Sequence, residues 1–228
     1  MESPTHASEL IRQLALWSVP LLAAVIFHEV AHGVVALRLG DDTAQRAGRL
    51  TLNPLPHIDP IGTVLLPALL LVAGAPVFGY AKPVPVNYAR LRDPRRSMVL
   101  VALAGPLTNL VLAATSAFVL RQLLAYLQPF ARGERPADVH FATLVLVPLA
   151  TMAKISVLLN VVLAVFNLLP IPPLDGGRVL TGILPYAYAR LVASLEPFGF
   201  LILMVLLMTH SLGAVLDAPV RFLLQVLL

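Results

Sequence analysis

Apolar residues fill positions 15–37 almost without a break, and the titratable side chains inside that run form one cluster, His28, Glu29 and His32. About 20 apolar residues cross the hydrocarbon core as a helix, so this run predicts a first membrane span. Positions 98–120 and 141–169 predict two more, the second carrying Lys154 near its middle. Positions 198–216 predict a further span, and 219–228 a final helix or a surface segment. The apolar stretch 61–80 differs, because Pro67, Gly74, Pro76 and Gly79 interrupt it. Broken backbone at membrane depth is tolerated where protein covers it, so this stretch predicts a re-entrant hairpin. Positions 38–59 are polar and punctuated by Gly, Pro and Asn, and the alternation in 46–53 predicts a short strand near the membrane surface. The expected fold is an all-α polytopic membrane protein, a helical bundle with that hairpin and that short β element. It is read as a single domain over 1–228, with its core at 15–178 and additional helices over 179–228. The polar start, residues 1–14, lacks the basic region and small-residue cleavage site of a signal peptide and reads as a mature start.

Composition narrows the function classes. Of 228 residues, 58% are hydrophobic and 12% charged, with a mean hydropathy of +0.86. An ordinary soluble domain is roughly a quarter charged. So little charge cannot cover a soluble globule, which excludes a soluble enzyme, a disordered regulator and a typical nucleic-acid binder. The net charge of +4 sits in sparse Lys and Arg between apolar runs, a topology signal rather than a phosphate-binding face. Cysteine is absent, so there is no disulfide framework, thiolate metal site or thiol nucleophile.

The cluster in the first span reads His28-Glu29-Val30-Ala31-His32, an HExxH pattern. Residues i and i+4 share a helix face, so both imidazoles can reach one metal ion. Glu29 lies beside them, placed to take a proton from a water, as in zinc hydrolases. The bland reading is two satisfied polar side chains in a helix interface. Three ionisable groups within a span are costly, however, and such groups are functional by default.

A catalytic zinc site takes three protein ligands and leaves one position open. The remaining candidates near apolar segments are His57, Asp59, His140, Asp175 and His210. Asp175 stands out, because Pro170, Pro172 and Pro173 precede it and Gly176 and Gly177 follow. Prolines remove helix donors and glycines permit unusual dihedrals, so the backbone breaks there. Two imidazoles and a carboxylate point to zinc, although other divalent ions accept the same set.

HEVAH at 28–32 with NLLPIPPLDGG at 167–177 resembles the site-2 protease family of intramembrane zinc metalloproteases. AGPLTN at 104–109 resembles the family's motif on the intervening helix. GRLTLNPLPHIDPIGT at 48–63 and AKPVPVN at 81–87 resemble its compact prokaryotic branch, without PDZ or CBS domains. The resemblance covers most of the chain from 26 to 178. It implies one zinc per chain held by His28, His32 and Asp175, with Glu29 activating a water. It also implies that Asn167 engages the substrate backbone or the developing oxyanion. The implied activity is hydrolysis of peptide bonds within or near transmembrane segments of membrane proteins. The implied setting is a multi-pass protein of the cell membrane, meeting lipid bilayer and a spanning substrate but no nucleic acid, with room for a regulatory partner or a homo-oligomer.

Topology gives a separate argument. If 61–80 re-enters, the spans run inward, outward, inward, and both ligand-bearing segments end toward the inner face. A full crossing would carry Asp175 to the other side. The hairpin also puts 38–59 and the basic segment with Lys82, Arg90, Arg92, Arg95 and Arg96 on one side, which the positive-inside rule makes cytoplasmic. Lys154 reads as a structural or substrate-path residue. His57 and Asp59 read as loop residues that could touch substrate, His140 as interfacial and His210 as a packed polar group. Gly105 and Pro106 read as close helix packing, and Asn109 as a hydrogen bond across helices. Two other functions remain open: a catalytically inactive relative that binds membrane proteins, and a metal transporter. The transporter needs a chain of ligands across the membrane, whereas these candidates cluster at one depth.

Overall fold

Long apolar runs with few breakers become long helices in the computed structural model, which describes residues 6–72, 80–132 and 139–228. The first run forms α1 (His6–Arg38), followed by the short α2 (Thr43–Arg46). A wide turn at Pro60–Leu65 leads into α3 (Leu66–Val72), and α4 covers Pro94–Ala131. A short α5 (Val139–Phe141) passes through a second wide turn into α6 (Val147–Asn167). Then come α7 (Asp175–Ile183), α8 (Tyr186–Ser194), α9 (Gly199–Met208) and α10 (Ser211–Leu227). Among the described residues, four helical stretches are long and apolar enough to cross a membrane: Ile11–Arg38, Pro94–Pro129, Ala142–Asn167 and Tyr186–Met208. Large apolar side chains such as Val111 and Phe118 stand about two-thirds exposed on them (66% and 63%), as lipid-facing surfaces do.

Two expectations change. Among the described residues there is no strand, and 46–53 is the end of α2 followed by turns and bends. Gly48 has φ +64, Arg49 is buried with its Nη2 donating to Lys82 O at 2.6 Å, and Thr51 O meets His57 Nε2 at 2.9 Å. The alternation reflects these separate contacts, not a pleat. The apolar block 198–216 also does not form one span. The helix stops at Met208, and His210 turns the chain at φ +58. Thr209 Oγ1 bonds back to Val205 O at 2.8 Å, so the polar Thr-His-Ser step ends the span and α10 takes in 219–227.

The chain groups into two compact units. In the first (Met1–Ala24, Asn109–Asn167, Leu201–Leu228), small residues bring helices together. Ala113 and Ala117 of α4 pack with Val157 and Val161 of α6, and Val220, Leu223, Leu224 and Leu227 of α10 cover them. Leu120 packs with Ala150 and Ala153. Small side chains let backbones approach where lipid supplies no hydrophobic drive. Buried amides add direction: Asn109 Nδ2 donates to Asn160 Oδ1 (2.8 Å) and to Ala24 O (3.1 Å). Ser116 and Ser156 hydroxyls meet at 2.8 Å. Lys154 lines a cavity of about 490 Å³ with Arg121 and Thr151.

The second unit covers Val25–Thr108 and Leu168–Phe200. Its loop after α1 is fixed by buried Asp41, whose Oδ2 accepts from Asn87 N at 2.6 Å and whose Oδ1 accepts from Thr43 N at 3.0 Å. Burial alone would raise this carboxyl; the donors of Thr43 and Asn87 outweigh it and hold it below its usual range. Asp59 Oδ1 accepts from Ile61 N and Gly62 N, opening the wide turn before α3. The stretch 61–80 begins and ends in one place: Tyr80 N donates to Gly62 O at 3.0 Å and Thr63 Oγ1 to Tyr80 O at 2.9 Å. Of its four breaks, Gly74, Pro76 and Gly79 lie outside the described residues. From Tyr80 to Asn87 the chain is an irregular strap before the next turn at Tyr88–Arg90.

Candidate metal centre

One helical turn separates His28 from His32, so α1 presents both imidazoles from a single face. Both are buried, and their Nε2 atoms lie 3.1 Å apart. His32 Nδ1 lies 2.7 Å from Val101 O of α4. A carbonyl can only accept, so Nδ1 carries a proton, and the neutral form of the ring has its lone pair at Nε2, facing inward.

Asp175 reaches the pair from the first turn of α7. The glycines after it make this approach possible. A Cβ on Gly176 would lie 2.2 Å from Leu168 O, and one on Gly177 2.5 Å from Pro172 N. These contacts are with backbone, which cannot swing aside, so α7 packs against 168–172 only with glycine at both positions. The Pro172–Pro173 peptide is cis.

The resulting donor set is a tight triangle. Asp175 Oδ2 lies 3.2 Å from both His28 Nε2 and His32 Nε2, and all three residues are buried. Among the described residues that oxygen has no hydrogen-bond partner. A carboxylate oxygen and inward lone pairs repel unless a cation lies between them. Tetrahedral zinc with bonds of about 2.0–2.1 Å separates its ligands by roughly 3.3 Å, close to the observed sides. The three atoms form a group that could hold one metal ion, and the residues fit zinc.

Gly105 of α4 forms the floor. A Cβ there would lie 2.5 Å from His32 Nε2 and His28 Cε1, and 2.6 Å from His28 Nε2. The expected helix-packing role is therefore too modest, because the missing side chain leaves room for the donor set. Glu29 is half-buried beside the triangle, and its Oε2 accepts from Val84 N at 2.7 Å. Sequence patterns give no sign of this last contact, which joins residues far apart in the chain.

The other candidates make different contacts. Asn167 ends α6, and its Nδ2 donates to Leu163 O at 2.9 Å within its own helix. His57 is buried and holds the loop through Thr51. Asp59 caps the turn before α3. His140 lies on α5 and His210 in the turn before α10.

Comparison with known proteins agrees with this donor chemistry. The profile of Peptidase family M50 matches residues 135–210. The chain is 41% identical over 192 residues to "Putative zinc metalloprotease YwhC" of Bacillus subtilis, covering 84% of this chain and 79% of that protein. It is 34% identical over 216 residues to "Putative zinc metalloprotease Rip2" of Mycolicibacterium smegmatis, covering 91% and 74%. The Mycobacterium tuberculosis protein of the same name is 30% identical over 211 residues, covering 91% and 71%. No solved structure matches the chain. A buried His-His-Asp triangle whose histidines lie on a membrane-length helix, and relatives matched over most of their length, lead to one assignment: this chain belongs to peptidase family M50, the site-2 protease family of membrane zinc metalloproteases.

Proposed function

We propose that the protein is an intramembrane zinc endopeptidase that cuts peptide bonds within or near the transmembrane segments of other membrane proteins. The buried triangle of His28, His32 and Asp175 with Glu29 beside it carries the reading. In it His28, His32 and Asp175 hold one zinc per chain, which supplies Lewis acidity to polarise the scissile carbonyl and acidify a water. Glu29 takes a proton from the attacking water and passes it to the leaving amine nitrogen. A substrate helix must unwind locally, because its peptide bonds are covered by their own hydrogen bonds. Asn167, at the end of α6, offers its side-chain carbonyl to a freed substrate N–H, while its Nδ2 stays on Leu163 O.

The site faces the cytoplasmic side in this reading, with 61–80 re-entering the membrane. Two observations support it. Residues 62 and 80 are joined by a backbone hydrogen bond, whereas the 18 positions between them would span about 27 Å as a straight helix. The basic segment with Arg90, Arg92, Arg95 and Arg96 then joins the polar loop after α1 on one side. A cysteine introduced at position 89 of this cysteine-free chain is expected to resist a membrane-impermeant thiol reagent in intact cells and to react once they are opened. Labelling in intact cells would overturn the orientation.

Zinc content tests the donor set. Purified protein is expected to hold one zinc per chain, and Asp175→Ala and His28→Ala each to lose it or bind it far more weakly. Zinc retained at full affinity in Asp175→Ala would remove the aspartate from the set.

A further inference from the structure

Between Lys82 and Val86, only Val84 has a backbone N–H, because Pro83 and Pro85 have none. That single donor points at Glu29 Oε2, at 2.7 Å. The prolines also hold the residue before each of them extended, so Lys82 and Val84 turn their donors to the same side. The strap is fastened at these alternate positions. Tyr80 N donates to Gly62 O (3.0 Å), Lys82 N to His57 O (2.9 Å) and Val84 N to Glu29. Farther along, Asn87 N donates to Asp41 Oδ2 (2.6 Å). Arg49 Nη2 grips the same stretch through Lys82 O.

A second contact sets the strap's height on α1. Gly33 follows Glu29 by one helical turn, and a Cβ there would lie 2.9 Å from Val84 Cγ1 and 2.4 Å from Leu50 Cδ2. The missing side chain lets buried Val84 settle against α1 at the level where its N–H meets the carboxylate. Among the described residues no hydrogen bond occupies Glu29 Oε1.

We propose that the strap positions the base: the Val84 N–H fixes one oxygen of Glu29 and leaves the other free to exchange the proton. Val84 is a positioning residue, acting through Glu29 by a main-chain donor that its own side chain and Gly33 hold in place. This inference rests on the protease reading above, in which Glu29 is the base.

The test replaces Val84 by its α-hydroxy acid analogue in the full chain, which turns the 83–84 amide into an ester without the N–H and keeps the side chain. A tagged single-span peptide in micelles serves as substrate, and protein with valine restored by the same method is the control. The ester is expected to lower kcat by about 10- to 100-fold, as a misaligned reacting group does, with KM and zinc content unchanged. It is also expected to lower the Tm by about 3–6 °C more in the Glu29 protein than in a Glu29→Ala background, since the bond is to a charged acceptor. Gly33→Ala is expected to show the same drop in kcat with zinc retained. Unchanged kcat, or equal Tm losses in the two backgrounds, overturns the proposal. A control that holds no zinc and cleaves nothing overturns the protease reading instead, and the Tm comparison still decides whether Val84 holds Glu29.

Discussion

Glu29→Gln abolishes cleavage of a single-span test substrate while the purified protein keeps its zinc. The two halves of this expected result separate the base from the ligands. Glutamine has the shape of glutamate, and its side-chain oxygen can still accept from Val84 N, the bond that glutamate makes at 2.7 Å. The three donor atoms of His28, His32 and Asp175 are untouched. What is lost is a carboxylate that can take a proton from water and hand it on, which an amide cannot do. General-base assistance contributes roughly 100- to 10,000-fold, so turnover should fall by at least two orders of magnitude. Cleavage rate and zinc per chain, measured on one preparation, check both halves. Cleavage within a few-fold of wild type would remove Glu29 from the role of base.

Gly105→Ala should be nearly as damaging, although alanine is the best helix former and position 105 is inside a long helix. The added methyl would sit about 2.5 Å from three ring atoms of His28 and His32. Relief by moving α4 is blocked, since Val101 O on the same helix holds His32 Nδ1 at 2.7 Å and Pro106 is fully buried. The imidazoles must therefore rotate away from Asp175. Changes just behind a metal's ligands commonly cost 10- to 100-fold in affinity, and this one acts on the ligands directly. A loss of at least about 100-fold in zinc affinity is expected by chelator competition, with helix content preserved. Gly213→Ala is the control, because nothing lies within 4 Å of a Cβ there, and it should bind zinc normally. Wild-type affinity in Gly105→Ala would mean that the helices part more readily than this packing implies.

Much of the site was legible in the sequence because its chemistry is local. The four-residue spacing of His28 and His32 specifies one helix face by itself. The prolines and glycines around Asp175 mark a break whose cause, helix α7 packed against bare backbone, is steric and short in range. The long spans were legible for the same reason, as each is a continuous apolar run. The parts that were not legible depend on distant partners. No pattern near Gly105 shows that it lies under two imidazoles of α1, and nothing in AKPVPVN names Glu29 as the partner of its one central donor. The strand expected at 46–53 failed for a related reason: Arg49 and Thr51 bond to Lys82 and His57 individually, so their alternation has no neighbouring strand. The fourth span ended early because Thr209 and His210 turn the chain inside an otherwise apolar block, where hydropathy outweighs a short polar step.

The distance along the chain between the histidines and Asp175 has a consequence for how the protein is made. Synthesis delivers His28 and His32 early, and with them only two of the three proposed ligands. The third emerges after α4 and α6 and is set only when α7 has closed over the 168–172 backbone. Metal affinity that depends on a completed fold is folding free energy. On the proposed donor set, a nascent or misassembled chain would have little hold on zinc and no working protease. On that donor set, such a chain cuts nothing until its last ligand arrives.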